Sequence, residues 1–277
     1  MSFRQWRTRL LLRYRDIRTP SYWRVFVAVA VNAVLLSMLV FDIPIAERMD
    51  QLPAVAHDTA RVLTNIGKSG WILFLSAFLF FESQMIVRHA EDIRARCRAM
   101  LTGWIGAYIF LTVAISGLVA NFLKRAIGRA RPSQFDEWGA LGFSPFAGSS
   151  RFESFPSGHA TTIGALAVIC ALLFPRYRVS FLIAGVWLAM TRVMLQAHYP
   201  SDVLAGLCLG GWFALVMAIV FARYGLVFRI GDDGWPKPRL PTPLPAMRDK
   251  SPRPDPAMPS MPPEDGAARR PSLTKAA

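Results

Sequence analysis

Six apolar runs dominate the pattern of hydrophobic and polar positions along the chain. They cover residues 25–41, 71–87, 103–123, 158–174, 179–195 and 203–222, and polar loops that contain arginine separate them. Each run is close to the roughly 20 residues that an α-helix needs to cross the hydrocarbon core of a bilayer. The pattern therefore predicts an all-α fold, a polytopic membrane protein built as a six-transmembrane-helix bundle.

The loops carry their basic residues unevenly, which predicts how the helices are oriented. Seven arginines precede the first run, and no small-x-small cleavage site follows it, so this run is predicted to be a retained helix and not a signal peptide. Lys and Arg concentrate on the cytoplasmic side of membrane proteins. Both termini are therefore predicted to be cytoplasmic, and the loops after the first, third and fifth runs face outward.

One outward loop, residues 124–155, departs from this rule. It keeps five cations on the side where few are expected, namely Lys124, Arg125, Arg129, Arg131 and Arg151. Cations retained on the outer side indicate a functional demand there.

The two ends of the chain differ in composition from the apolar centre. Residues 1–24 form a basic N-terminal segment, and residues 25–229 form the membrane domain. Residues 230–277 contain 12 of the 20 prolines and few large apolar side chains. Such a segment buries too little surface to offset its ordering entropy, so a disordered cytoplasmic tail is predicted.

Composition excludes several classes of protein. The chain is 53% hydrophobic and only 18% charged, which argues against a soluble domain. The chain has a net charge of +14, and its basic residues lie between the apolar runs. This placement indicates membrane orientation and gives no support to nucleic-acid binding. The three cysteines are too few and too scattered for a disulfide framework or a zinc site.

Three short motifs occur at the outer ends of the apolar runs. They are Lys-Arg-Ala-Ile-Gly-Arg-Ala-Arg-Pro at 124–132, Pro-Ser-Gly-His at 156–159, and Thr-Arg followed by His and Asp within 191–202. The predicted orientation places all three on one face of the membrane. That convergence played no part in choosing the orientation, and it predicts a shared site.

The basic and helix-capping residues of the motifs are suited to bind a phosphate. Lys124, Arg131 and Arg192 can neutralise it, and the two guanidinium groups offer bidentate hydrogen bonds. Ser157 stands where a helix N-cap is expected, and Gly158 lets the backbone come close to a ligand. The first amides of the fourth helix are therefore predicted to complete an anion site.

The remaining residues suit acid–base and nucleophilic chemistry. His198 and Asp202 are four residues apart, so the carboxylate can hold one imidazole nitrogen and leave the other free to attack phosphorus. His159 lies on a different helix and can protonate the leaving oxygen. Taken singly, each motif also fits a structural role, because basic residues anchor helix ends and Pro-Ser-Gly begins many helices.

Together the motifs resemble the signature of the type 2 phosphatidic acid phosphatase family, which is Lys-x6-Arg-Pro, Pro-Ser-Gly-His and Ser-Arg-x5-His-x3-Asp. Only Thr191 departs from it, and it keeps the hydroxyl. The resemblance implies His198 as the nucleophile that forms a phosphohistidine, Asp202 as its orienting group and His159 as the general acid. The phosphate-binding residues that it implies are Lys124, Arg131, Ser157, Gly158 and Arg192.

The resemblance also implies a metal-independent reaction without a cofactor, in the inner (plasma) membrane of a bacterium, with the site on the periplasmic face. The substrate is then a phosphorylated membrane lipid. Undecaprenyl diphosphate, lipid A phosphate, phosphatidylglycerol phosphate and phosphatidic acid all stay open. The additional cations Arg125, Arg129 and Arg151 favour a diphosphate or a multiply charged headgroup.

Two other functions are compatible with parts of this pattern. A transporter or binding protein for an anionic lipid needs the cations but neither His198 nor Asp202. A vanadium haloperoxidase uses the same constellation of residues, but those enzymes are soluble and six membrane spans argue against that function. The oligomeric state stays open.

Overall fold

The computed structural model describes residues 22–48 and 53–239, and helices make up most of that part of the chain. Nine α-helices lie within it. Their bounds are α1 (Tyr22–Val40), α2 (Asp42–Ala46), α3 (Ala54–Leu63), α4 (Ser69–His89), α5 (Ile93–Ile127), α6 (Phe135–Trp138), α7 (Gly158–Leu173), α8 (Arg178–Met194) and α9 (Pro200–Arg223).

The helices account for every apolar run of the sequence. Within the described ranges, the segments that contain α1, α4, α5, α8 and α9 are long and apolar enough to cross a membrane. Helix α7 is equally apolar but has only 16 residues. The chain is therefore an integral membrane protein with five candidate membrane helices and a shorter apolar helix beside them.

Outward-facing side chains agree with a lipid environment. Leu39 on α1 is 74% exposed, and Phe74 on α4 and Trp187 on α8 are each 73% exposed. Large apolar side chains directed away from the helix bundle are stable where the surroundings are hydrocarbon. The interior instead contains small residues and a few anchored aromatic rings, such as Tyr108, whose hydroxyl donates to the carbonyl oxygen of Ala214 at 2.9 Å.

The all-α prediction is confirmed for the bundle, and one short hairpin follows α9. Strands β1 (Phe228–Ile230) and β2 (Pro236–Pro238) pair as an antiparallel hairpin. Phe228 is fully buried, and its ring centroid lies 5.0 Å from that of Tyr108. This aromatic contact holds the strand against the bundle, which the proline content of the segment did not indicate.

The hairpin also takes up the first residues of the predicted tail. Residues 230–239 are ordered with it, contrary to the expectation of disorder from 230 onward. The remainder of the tail, residues 240–277, and the N-terminal segment up to residue 21 lie outside the described residues.

Glycines bring α7 and α9 into direct backbone contact. A Cβ atom at Gly206 would lie 2.5 Å from the carbonyl oxygen of Ser157, and one at Gly210 would overlap the carbonyl oxygen of Thr161. On the facing helix, a Cβ at Gly164 would overlap the backbone of Leu207. Small residues spaced four apart are typical of closely packed membrane helices, because they let two backbones approach.

We expect Gly210→Ala to destabilise the protein, because the added methyl group meets a backbone carbonyl that cannot rotate away. Overpacking of this kind costs about 1–3 kcal/mol. The matched control is Gly117→Ala on α5, where a Cβ meets nothing within 4 Å. That substitution should be neutral or stabilise the helix by about 0.5–1 kcal/mol. Thermal unfolding in detergent measures both, and an unchanged melting temperature for Gly210→Ala would contradict the packing.

Candidate active site

The first motif begins in the last turn of α5 and continues through a sharp turn. Lys124 is buried at the end of the helix, and Gly128 ends it with a left-handed φ of +63°. The amide of Gly128 donates to the carbonyl oxygen of Lys124 at 3.0 Å. A Cβ at Gly128 would overlap the carbonyl of Ser144, so a side chain is excluded there. This turn reverses the chain and brings Arg131 back towards the helix ends.

The second motif begins α7 and lies against the first. Ser157 is the N-cap, and its hydroxyl oxygen accepts from the amide of Ala160 at 3.4 Å. A Cβ at Gly158 would lie 3.6 Å from Nζ of Lys124, so the ammonium group stands close to the N-terminus of α7. The amide of Ser157 donates to the backbone carbonyl of Asp202 at 3.0 Å, which joins the second motif to the third.

Three cations converge beside this helix terminus. The charges of Arg131 and Arg192 both act on Lys124, and that of Arg131 acts on Arg192. Nη1 of Arg192 donates to the hydroxyl of Thr64 at 3.1 Å. The Nε atoms of Arg131 and Arg192 are buried and have no hydrogen-bond partner among the described residues. Unsatisfied buried donors next to a helix N-terminus form a site for a tetrahedral anion.

His198 lies in the loop before α9 and is almost fully buried. Its Nδ1 is 2.8 Å from the carbonyl oxygen of Ser154. A carbonyl can only accept a hydrogen bond, so Nδ1 carries the proton and Nε2 keeps its lone pair. The i, i+4 spacing predicts a direct bond from Asp202 to this ring. The nearest carboxylate oxygen of Asp202 is instead 3.8 Å from Nδ1, which is too long for a hydrogen bond.

Asp202 reaches His198 through Ser154. Its Oδ2 accepts from the hydroxyl of Ser154 at 2.5 Å and from the amide of Tyr199 at 3.0 Å. The Asp202 carboxylate therefore positions Ser154, and the backbone carbonyl of Ser154 in turn positions the His198 ring. Ser154 was missed in the sequence because it lies outside all three motifs.

Burial sets the protonation of the nucleophile candidate. It lowers the pKa of the His198 imidazole below its ordinary value, and the negative charge of Asp202 opposes this shift without reversing it. The charges of Lys124 and Arg192 lower the pKa further. The ring is therefore neutral at pH 7, which is the form able to attack phosphorus.

Arg129 is fully buried, and its guanidinium carbon lies 4.4 Å from the ring centroid of Tyr199, the residue after His198. Nη1 donates to Oδ1 of Asp202 at 2.5 Å and to the hydroxyl of Ser201 at 2.7 Å. Nη2 donates to Oδ2 of Asp42 at 2.7 Å, and both Nε and Nη2 donate to the carbonyl oxygen of Ala140. Asp42 also accepts from the amide and hydroxyl of Ser201, at 3.0 and 2.5 Å. Asp42 follows the first apolar run, and only its charge at a helix end could have drawn attention to it.

This network corrects the interpretation of the additional cations. The charge of Arg129 is balanced by two carboxylates, so it is not available to a substrate. Nε of Arg125 lies 3.6 Å from Glu153 on the surface. Two of the three additional cations are therefore paired with carboxylates, which weakens the support that they gave to a diphosphate.

His159 lies in the first turn of α7 and faces the same space as the cations. The charges of Arg192, Lys124 and Lys68 all act on its ring. A Cβ at Gly67 would lie 3.3 Å from its Cδ2, so the backbone before α4 packs on the imidazole. The structure thus brings the predicted residues of all three motifs together.

The site lies within a region that matches a known family. A family model described as the PAP2 superfamily matches residues 105–225, which include all three motifs. The chain is 52% identical over 217 residues to a lipid A 1-phosphatase of Rhizobium johnstonii, covering 78% of this chain and 88% of that protein. A lipid A 1-phosphatase of Rhizobium etli is 51% identical, over 78% of this chain and 93% of its own length.

More distant relatives share part of the chain. An undecaprenyl-diphosphatase of Bacillus subtilis is 32% identical over 117 residues, which cover 42% of this chain and 55% of that protein. Half of the aligned residues are identical over nearly the full length of the rhizobial enzymes, and the cations and histidines gather at one helix terminus. This chain therefore belongs to the PAP2 superfamily and is a membrane lipid phosphatase.

Proposed function

We propose that this chain hydrolyses the 1-phosphate of lipid A through a phosphohistidine on His198. The observation that carries the chemistry is the Nδ1 contact with the Ser154 carbonyl, because it leaves Nε2 unprotonated in front of the cations. The similarity to two lipid A 1-phosphatases over most of their length supports the substrate. The reaction is proposed to need no metal, since three cations and the α7 amides can stabilise the transferring phosphoryl group.

The first step forms the covalent intermediate. Nε2 of His198 donates its lone pair to phosphorus, and the bond from phosphorus to the ester oxygen breaks. His159 gives its proton to that oxygen, so the lipid leaves as an alcohol. Lys124, Arg131 and Arg192 neutralise the phosphate oxygens, and Ser157 and Gly158 set the amides of α7 against them.

The second step returns the enzyme to its starting state. His159, now neutral, takes a proton from a water molecule as that water attacks the phosphohistidine. The bond between phosphorus and Nε2 breaks, and inorganic phosphate departs. Asp202 has no covalent part in either step. It holds Ser154, and the negative charge close to Nδ1 stabilises the ring while it carries positive charge.

We further propose that α1, α4, α5, α7, α8 and α9 are six membrane helices with the site on the periplasmic face of a bacterial inner membrane. The distribution of Lys and Arg in the loops supports cytoplasmic termini. The site residues lie at the C-terminal ends of α5 and α8 and near the N-terminal ends of α7 and α9, as alternating helices require. The membrane domain of residues 25–229 then extends into the hairpin, and residues 240–277 are its cytoplasmic tail.

Phosphate release by the purified protein in detergent tests this function. Lipid A, undecaprenyl diphosphate, phosphatidylglycerol phosphate and phosphatidic acid are compared in buffer that contains EDTA. We expect release from lipid A with the highest kcat/KM. The matched control is His198→Ala, which should release nothing and so excludes a contaminating phosphatase. Binding of lipid A without release by the unsubstituted protein would contradict an enzyme, and a requirement for added magnesium would contradict the mechanism.

Substitutions of the two histidines should impair different parts of the reaction. His198→Ala lacks the attacking nitrogen, so no substrate should restore it. His159→Ala keeps the nucleophile, and its loss depends on how strongly the leaving oxygen needs a proton. General acid catalysis is worth about 10²–10⁴-fold. We therefore expect a deficit of that size on a lipid monoester and a much smaller one on nitrophenyl phosphate, whose phenolate leaves without a proton.

Kinetics on both substrates decide between these roles. Equal relative losses for His159→Ala would show that this side chain holds phosphate and donates no proton. Recovery of His198→Ala on nitrophenyl phosphate would reverse the two assignments.

The pH profile should reflect the buried imidazole. Because its pKa is lowered, His198 stays neutral as the pH falls through 6.5, the ordinary histidine value. The fall of kcat/KM towards acid pH should therefore be centred below pH 6.5. The ionisation of the substrate, measured separately by phosphorus NMR, is first corrected for at each pH. A loss of activity centred at or above pH 6.5 would contradict the burial of the nucleophile.

A further inference from the structure

A short turn covers the site from the side of α3 and α4. It spans Thr64–Gly67 and packs against α7 and α8. Thr64 and Gly67 are buried, and the Thr64 hydroxyl accepts from the phosphate-binding residue Arg192. Gly67 packs on the ring of His159. The turn therefore contacts a cation of the phosphate site and the proposed acid at the same time.

The position of His159 defines the side on which the leaving group departs. An acid must reach the oxygen that leaves, so that oxygen lies between phosphorus and the His159 ring. In-line attack by His198 places the leaving oxygen on the far side of phosphorus from Nε2. The turn packed on His159 is thus the wall along which the rest of the substrate extends.

Lys68 follows this turn and has an uncompensated charge. Its side chain is exposed, and no carboxylate among the described residues lies within 4 Å of its ammonium group. Its charge acts on His159. Arg125 and Arg129 are paired with carboxylates, whereas Lys68 is free to pair with a substrate.

We propose that Lys68 is a specificity-determining residue that binds an anionic leaving group, specifically the inner phosphate of a lipid diphosphate. This inference rests on the proposed function, since it requires the same attack by His198, and it adds diphosphates to the substrates. In a diphosphate, Nε2 bonds to the terminal phosphorus. The bridging oxygen then departs with the electron pair of the broken bond, as part of a lipid monophosphate.

The leaving monophosphate gains negative charge as the bond breaks, on the side of the site where Gly67 packs on His159 and Lys68 follows in the chain. A monoester leaves instead as a neutral alcohol once His159 has protonated it, so it offers Lys68 no such charge. The charge of Lys68 should therefore raise kcat/KM for diphosphates relative to monophosphates, without changing the attack by His198.

Farnesyl phosphate and farnesyl diphosphate form a matched pair of probes, because they differ only in the second phosphate. An exposed charge contact is worth up to about 1 kcal/mol, or about fivefold. We expect Lys68→Gln to lower kcat/KM for the diphosphate by about that factor at low salt and to change kcat/KM for the monophosphate less. Lys68→Arg should restore kcat/KM for the diphosphate. In about 1 M salt, where charges are screened beyond roughly 3 Å, the difference should disappear.

Arg61→Gln is the control variant, since it removes an exposed positive charge from the same segment. Equal losses on both probes, or the same diphosphate loss in Arg61→Gln, would overturn the assignment of Lys68. If the unsubstituted protein released phosphate from the monophosphate only, the inference would fail while the proposed function stood. Release from neither probe nor from lipid A would overturn both.

Discussion

The ion pairs of Arg129 with Asp42 and Asp202 are the interaction on which the rest of the site depends. All three side chains are fully buried, so each charge would be costly without its partners. The guanidinium joins the start of α2, the loop after α6 and the start of α9, which are remote in sequence. Removing Arg129 leaves two unpaired carboxylates in the interior, and removing either carboxylate leaves a guanidinium N–H without its acceptor. The network therefore fixes three segments with respect to one another.

The geometry around His198 follows from this fixed point. Asp202 is held by Arg129 and in turn holds Ser154, whose carbonyl determines the tautomer of His198. The arrangement differs from a simple carboxylate–histidine pair, because a backbone group stands between them. The charge of Asp202 remains 3.8 Å from the ring, near enough to stabilise an imidazolium without taking its proton.

Much of the fold and of the site could be predicted from the sequence. The six apolar helices are evident from hydropathy, and the motif residues lie at their ends. Asp42 and Ser154 could not, since each acts through a partner far along the chain and neither belongs to a local pattern. The hairpin was missed for a related reason. Proline content indicates disorder, but the contact of Phe228 with Tyr108 is a tertiary one that composition does not contain. The count of cations also misled, because a buried ion pair and a ligand site look alike in sequence.

The backbone contact between α7 and α9 has a mechanical consequence. Gly206 meets the carbonyl of Ser157 one turn from Asp202, so the elements that carry the proposed acid and nucleophile meet without intervening side chains. Two backbones in contact cannot be compressed as a layer of flexible side chains can. Changes in bilayer thickness or lateral pressure would then tilt α7 and α9 as one unit. The separation of the two imidazole rings would then stay constant while the helices move.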